Sequence, residues 1–189
     1  MSKMDVDGSL AVGLEIDPRV CRCIPLSQVD NATLLEGFEL WCRLKGELKF
    51  PPRSAVTPRL LKPLLRDTAL VRVIDGGEDY EYRIVGDAYV VAHGRSAQGK
   101  LWSELGKTSA GFKKFVRPVY DRIVQSGEPV ATVGWIERSG NSSGHVYCEC
   151  IYLPLGDQAV GVDHILAFAA YICHRELEQI GFVPGSFAI

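Results

Sequence analysis

The stretch HILAFAAYI, residues 164 to 172, is apolar at both parities: His164, Leu166, Phe168, Ala170 and Ile172 alternate with Ile165, Ala167, Ala169 and Tyr171. An antiparallel strand with one face in water shows apolar and polar positions in turn, so a strand of this kind has to be covered on both sides. The chain must therefore supply two layers of cover over one sheet, or take one of them from a partner.

Two helical segments can meet that demand. From Ser109 to Gly127, Phe112, Phe115, Val116, Val119, Tyr120, Ile123 and Val124 recur at i, i+3, i+4 spacing, with Gly127 as the stop and Pro118 as an expected bend. The second is DNATLLEGFELWCRLKG. There Thr33 and Glu36 read as a capping box, Leu34, Leu35, Phe38, Trp41 and Cys42 fall on one side, and Gly46 ends the helix. The long helix covers one sheet face. The helix from Thr33 to Lys45 is the candidate cover for the other, from the same chain or from a second copy, which predicts a homodimer with Leu34, Phe38 and Trp41 as interface candidates.

Between these helices the period changes to two. Thr57 and Pro58 form an N-cap and first-turn pair for the short helix RLLKPLL. TALVRVID and YEYRIVG, parted by GGED, read as a β-hairpin, and DAYVVAHG reads as a short helix. PVATVGWIER, HVYCECIYLPL and HILAFAAYI close the order as three strands. The reading is α+β: residues 1–30 an N-terminal arm, partly ordered, 31–66 the N-terminal helices, 67–175 the core and 176–189 a C-terminal tail.

At 189 residues and 47% hydrophobic, the chain suits one domain with a full core, and a net charge of −2 offers no basic footprint for nucleic acid. MSKMDVDGSL lacks the basic start and apolar run of a signal peptide, and HILAFAAYIC is about half a membrane span. The expectation is a cytoplasmic protein without membrane insertion. Cys21, Cys23, Cys42, Cys148, Cys150 and Cys173 then read as reduced thiols. Cys148 and Cys150 share a strand face at i and i+2, a separation too wide for an easy bridge. The C-x-C spacing at both pairs departs from the C-x-x-C of structural zinc, so no metal is expected.

One motif suggests nucleotide binding. HGRSAQGKLW, His93 to Trp102, spells G-x-x-x-x-G-K, but Leu101 stands where a magnesium-binding Ser or Thr belongs, and the preceding segment reads as helix rather than strand. Gly94 and Gly99 are better read as turn residues.

The runs LWCRLKGELKFPPRSAVTPRLLKPLL, YRIVGDAYVVAHGRSAQGKLW and YCECIYLPLGD resemble the stand-alone PAS-type proteins of alphaproteobacteria over residues 34 to 173. The features carrying the resemblance are a tryptophan-bearing helix before Pro-x-Arg, R-x-x-G before a short helix, G-R-x-x-x-G-x-x-W after it, and a late L-P-L. It implies a PAS-like fold: a five-stranded antiparallel sheet with helices over one face, here joined by an N-terminal amphipathic helix. It also implies a sensory or protein-interaction module in bacterial signal transduction, often dimeric, in some members holding a small ligand between the sheet and the long helix.

The residues limit which ligand. The long helix carries no histidine to ligate haem. GRSAQGKLW holds no cysteine for a LOV-type flavin adduct, so both cofactors are argued against and the cofactor is unknown. Candidate ligand-binding residues are Tyr89, His93, Trp102, Phe112, Phe115 and Trp135, aromatic or polar groups that either line a cleft or fill the core. His93 at a helix end also suits a carbonyl cap. Arg83 and Asp87 suit an ion pair at the strand-to-helix turn, with Asp87 as N-cap. No G-x-S-x-G, H-E-x-x-H or Cys/His signature points to catalysis, and no catalytic residue is assigned. With no output domain fused in this sequence, the signal is expected to pass to a signalling protein partner. A small-molecule enzyme with a cleft on an α+β fold and a ligand-free scaffold are the alternatives.

Overall fold

The computed structural model describes residues 21–105, 110–137 and 145–172, the side chains of 110–114, 136–137 and 145–146 excepted. In chain order its elements are β1 (Cys21–Ile24), α1 (Ala32–Lys45), α2 (Pro58–Leu61), β2 (Thr68–Ile74), β3 (Asp79–Val85), α3 (Asp87–His93), α4 (Trp102–Leu105), α5 (Ala110–Ser126), β4 (Val130–Glu137), β5 (His145–Asp157) and β6 (Gly161–Ile172). All six strands form one antiparallel sheet in the order β1-β4-β5-β6-β2-β3. The fold is α+β and PAS-like, with six strands rather than the expected five.

The sixth is β1, which lies in the segment read as an arm. Cys21 to Ile24 pair with Gly134 to Ala131 on β4. Four residues flanked by proline and polar positions carry too little alternation to mark a strand, and only the free edge of β4 gives them a partner.

β6 sits inside the sheet and divides the core by parity, as its composition requires. Ile165, Ala167 and Ala169 join the cluster formed with Phe115, Val116, Val119, Tyr120 and Ile123 of α5. Leu166 and Phe168 join the cluster formed with Leu34, Leu40 and Trp41 of α1. β5 divides the same way, Cys148, Cys150 and Tyr152 to the first side and Ile151, Leu153 and Leu155 to the second. Helices therefore cover both faces rather than one.

The second cover comes from within the chain. Leu34 and Trp41 are 1% and 3% exposed, so they are spent under their own helix and leave no surface for a partner; Phe38 is half-buried and stacks on Trp41. The buried line of α1 is also rotated from the one expected. It runs through Leu34, Gly37, Leu40 and Trp41, while Leu35 and Cys42 face solvent. Gly37 explains the rotation. A Cβ there would run into the Phe168 ring, so the closest approach of helix to sheet is marked by a glycine, which a count of apolar side chains passes over. The Trp41 indole N–H donates to the Pro154 carbonyl at 2.8 Å and ties the helix to β5.

Local expectations fare unevenly. Thr57 caps α2 by accepting from the Leu60 N–H, and Gly46 and Gly127 follow the ends of α1 and α5. The cap of α1 is Asn31, whose side chain accepts from the N–H groups of Thr33 and Leu34, rather than Thr33. Asp87 is the first residue of α3 and makes no cap hydrogen bond; Gly86 holds the N-cap position. Arg83 pairs with Glu81 at 2.7 Å, two residues back on its own strand, instead of with Asp87. Both groups project from β3 on one side, a nearer meeting than one across the turn. No helix among the described residues is long and apolar enough to cross a membrane.

Candidate functional site

Small side chains on the sheet face under α5 and α3 leave a hollow. In register across the sheet, Thr132 stands beside Cys150 and Cys150 beside Ala169; one row on, Tyr152 stands beside Ala167 and Ala167 beside Ala69. Where large residues would fill the space beneath a helix, these alanines, the threonine and the thiols leave a cavity of about 30 Å³. Such a volume accommodates about two water-sized molecules, so anything larger must displace side chains.

α5 roofs the cavity with Phe115, Val116 and Tyr120, and α3 closes it with Tyr89 and His93. Cys21, Cys148, Tyr171 and Asp67 complete the lining. Of the six candidate residues, Tyr89, His93 and Phe115 meet here. Trp102 is buried in the same core but packs edge-on against Tyr120, 6.0 Å between ring centres, and is not part of the lining. Trp135 is on the opposite sheet face, against Tyr147. Thr132 and Gly134 share the cavity parity of β4 and Trp135 does not, a consequence of the two-residue strand period. The Phe112 side chain lies outside the described residues.

The sequence reading missed Thr132, Tyr120, Tyr152, Tyr171 and the alanines as site residues, along with Cys21 of the edge strand. Alanine and threonine carry no chemical signature, and only the pairing of four separate strands brings them together. A weak signal existed in the two cavity-face triplets of β5 and β6, Cys148-Cys150-Tyr152 and Ala167-Ala169-Tyr171, in each of which two small residues precede a tyrosine.

Apart from the half-buried Asp67, the groups lining the site are uncharged at neutral pH. Burial pushes the hydroxyls of Tyr82, Tyr89, Tyr120, Tyr152 and Tyr171 well above the usual phenol range, and it raises the Cys21 thiol. For Cys148 the contact with the Cys150 sulfur, together with burial, raises the thiol well above its usual range. Burial, helped by the charge of Arg95, lowers His93 to about 4, so its imidazole is uncharged at neutral pH. Its Nε2 lies 3.4 Å from the Tyr171 hydroxyl, and its ring stacks on Tyr89 at 4.0 Å. The Tyr82 and Tyr120 hydroxyls pair at 3.1 Å. Among the described residues, the buried Tyr89 hydroxyl makes no well-formed hydrogen bond, although the Tyr82 hydroxyl lies close to it. A buried phenol of that kind costs about 1–3 kcal/mol until water or a ligand atom meets it.

The Cys148 and Cys150 sulfurs are 3.0 Å apart. The pair is unbridged, as strand spacing leads one to expect, but its sulfurs are in contact.

The stretch that spells a phosphate-binding loop has another use. The Gly99 N–H donates to the Tyr82 carbonyl at 2.7 Å, and the Tyr82 N–H donates to the Lys100 carbonyl at 3.1 Å. Gly94 and Gly99 have φ of 72° and 75°, as turn residues would. The segment borders β3.

No protein-family model matches the chain, and no curated protein matches it. Among solved structures it is similar to an RNA-binding Light-Oxygen-Voltage receptor at 16% identity, over 86% of this chain and 43% of that one, with a TM-score of 0.48. It is similar to a Light-Oxygen-Voltage domain studied with a flavin analogue at 12% identity, over 65% and 88% of the two chains, with a TM-score of 0.44. It is similar to the PAS domain of Bordetella pertussis BvgS at 14% identity, over 66% and 94%, with a TM-score of 0.39. The chain thus spans less than half the length of the RNA-binding receptor. Likenesses of this size carry no activity across; the PAS-like description stands on the antiparallel sheet with α3 to α5 packed over one face.

Proposed function

We propose that the chain is a sensory or protein-interaction module of the stand-alone PAS type, whose input is a small neutral molecule held between the sheet and α5 and whose output is contact with a signalling protein. The observation that carries this reading is the cavity bordered by Tyr89, whose buried hydroxyl makes no well-formed hydrogen bond among the described residues. Burial of an unpaired phenol is a standing cost in the empty site, and a ligand with a hydrogen-bond acceptor removes it. Apart from the half-buried Asp67, the lining carries uncharged groups, which favours a neutral molecule over an anion taken from water.

Native mass spectrometry of freshly purified full-length protein tests the reading. A stoichiometric small-molecule adduct is expected, and Ala167→Leu, which fills the floor of the cavity, is expected to lose it. The cavity's size supports a second reading, a ligand-free interaction scaffold. Bare protein in the same experiment, with no small molecule retained before or after the substitution, favours that alternative.

A further inference from the structure

Cys148 and Cys150 form a dithiol on the cavity wall. They are two residues apart on β5, face the same side and have their sulfurs 3.0 Å apart. Two residues along a strand span about 6.6–6.8 Å between Cα atoms, near the upper limit for a disulfide, and the bond itself needs about 2.05 Å between sulfurs. Closing that last distance of about 1 Å needs rotation of two side chains, and the surroundings give them room. Cys148 pairs with Gly134, which has no side chain, and Cys150 is flanked by Thr132 and Ala169. Both sulfurs border a cavity able to take a molecule of water's size.

We infer that Cys148 and Cys150 are an oxidative modification site, closed into an intrastrand disulfide by a small neutral hydroperoxide, hydrogen peroxide being the simplest. The Cys150 sulfur attacks one peroxide oxygen and the O–O bond breaks. The departing hydroxide takes the Cys150 proton and leaves as water, so Cys150 becomes a sulfenic acid. The Cys148 sulfur then attacks the Cys150 sulfur, the S–OH bond breaks, and that hydroxide leaves as a second water with the Cys148 proton. Two thiols are oxidised by two electrons and the peroxide is reduced to two waters. Cys150 is assigned as first attacker because its cross-strand neighbours Thr132 and Ala169 are both small, whereas Cys148 has Tyr171 beside it. The product is uncharged and suits the apolar cavity. Cys21 also lines this space, from β1, with Gly134 between it and Cys148 in the sheet. It is the competing partner for either sulfur. The inference stands on the thiol geometry and not on the presence of a sensory ligand.

The test uses full-length protein treated with hydrogen peroxide and mapped by peptide mass spectrometry without reduction. The expected product is the peptide carrying both cysteines, lighter by two hydrogens, restored by a phosphine reductant. Cys148→Ser is expected to stop at a sulfenic acid on Cys150 that dimedone traps. Ala169→Leu, which narrows the cavity beside Cys150, is expected to slow closure several-fold. A disulfide to Cys21, oxidation that goes straight to sulfinic acid, or a pair left as thiols after Cys42 has been consumed overturns the inference. So does a closure rate unmoved by Ala169→Leu, because access would then not run through the cavity. Circular dichroism of both variants shows that they fold, and the wild-type map alone decides the disulfide itself.

Discussion

The two faces of the sheet are built to different rules. On the α1 face, Leu34, Leu40, Trp41, Leu153, Leu155, Leu166 and Phe168 fill the space between layers with large apolar groups. On the α5 face the residues nearest the cavity are alanines, a threonine, cysteines and tyrosines, with hydroxyls meeting one another inside the core. Apolar packing of the first kind stabilises without selecting anything. The second arrangement leaves space and unpaired polarity, which cost stability and give a small molecule something to meet. Close packing and open space are thus separated by parity along the same strands.

Substitutions on the two faces should diverge in size and in sign. Phe168→Ala removes the residue on which α1 rests and is expected to cost about 3–5 kcal/mol in urea unfolding, the range for a large core truncation. A loss under about 1 kcal/mol would mean that α1 is not a structural layer. On the cavity face, His93 makes stability depend on pH. Above pH 6.5 the imidazole is neutral in folded and unfolded chains alike; between 6.5 and about 4 only the unfolded chain takes up the proton. Stability attributable to this group is therefore lost as pH falls through that window, by on the order of 3 kcal/mol at the acid end. The difference between wild type and His93→Gln, followed from pH 7 to pH 4, isolates it; parallel curves would place His93 in water.

Trp41→Phe leaves the Pro154 carbonyl without its donor and gives up the packing of the second indole ring, for an expected loss of about 2–3 kcal/mol. The smallest effect carries the opposite sign. Tyr89→Phe removes a buried hydroxyl that makes no well-formed hydrogen bond among the described residues and should leave stability unchanged or raise it by up to about 1 kcal/mol in the ligand-free protein. A clear loss would show that the hydroxyl is already paired, and the two faces would then be less different than they look.

The layered plan was legible because it is written in period. The double apolar parity of residues 164–172 and the helical spacing of Phe115, Val116, Val119, Tyr120 and Ile123 each report a burial pattern along one segment, which a sequence displays directly. Tyr89, His93 and Phe115 were legible as site residues for the simpler reason that large or titratable side chains attract notice. The remaining walls were not. Ala69, Ala167, Ala169 and Thr132 matter through the volume they do not fill, and that volume exists only once β2, β4, β5 and β6 pair in register. Trp135 was misplaced because a bulky aromatic is conspicuous whichever side of a strand it occupies. Gly37 was passed over because the contact it makes possible belongs to Phe168.

Consider, last, the stretch from Ala97 to Leu101 laid along β3. The outer N–H and C=O of Tyr82 are both taken, by Lys100 and Gly99, and Leu101 bridges to Glu81. An open strand edge is a template on which another chain can polymerise, and folded proteins that leave one bare pay for it in aggregation. Here the template is occupied at its middle, which leaves fewer free groups on that edge for another chain to pair with. The stretch whose letters spell a nucleotide cradle thus covers part of a strand edge. Loosening it, for instance by a residue with a bulky branched side chain at Gly99, should show itself in the solubility of concentrated samples before it shows in the melting temperature.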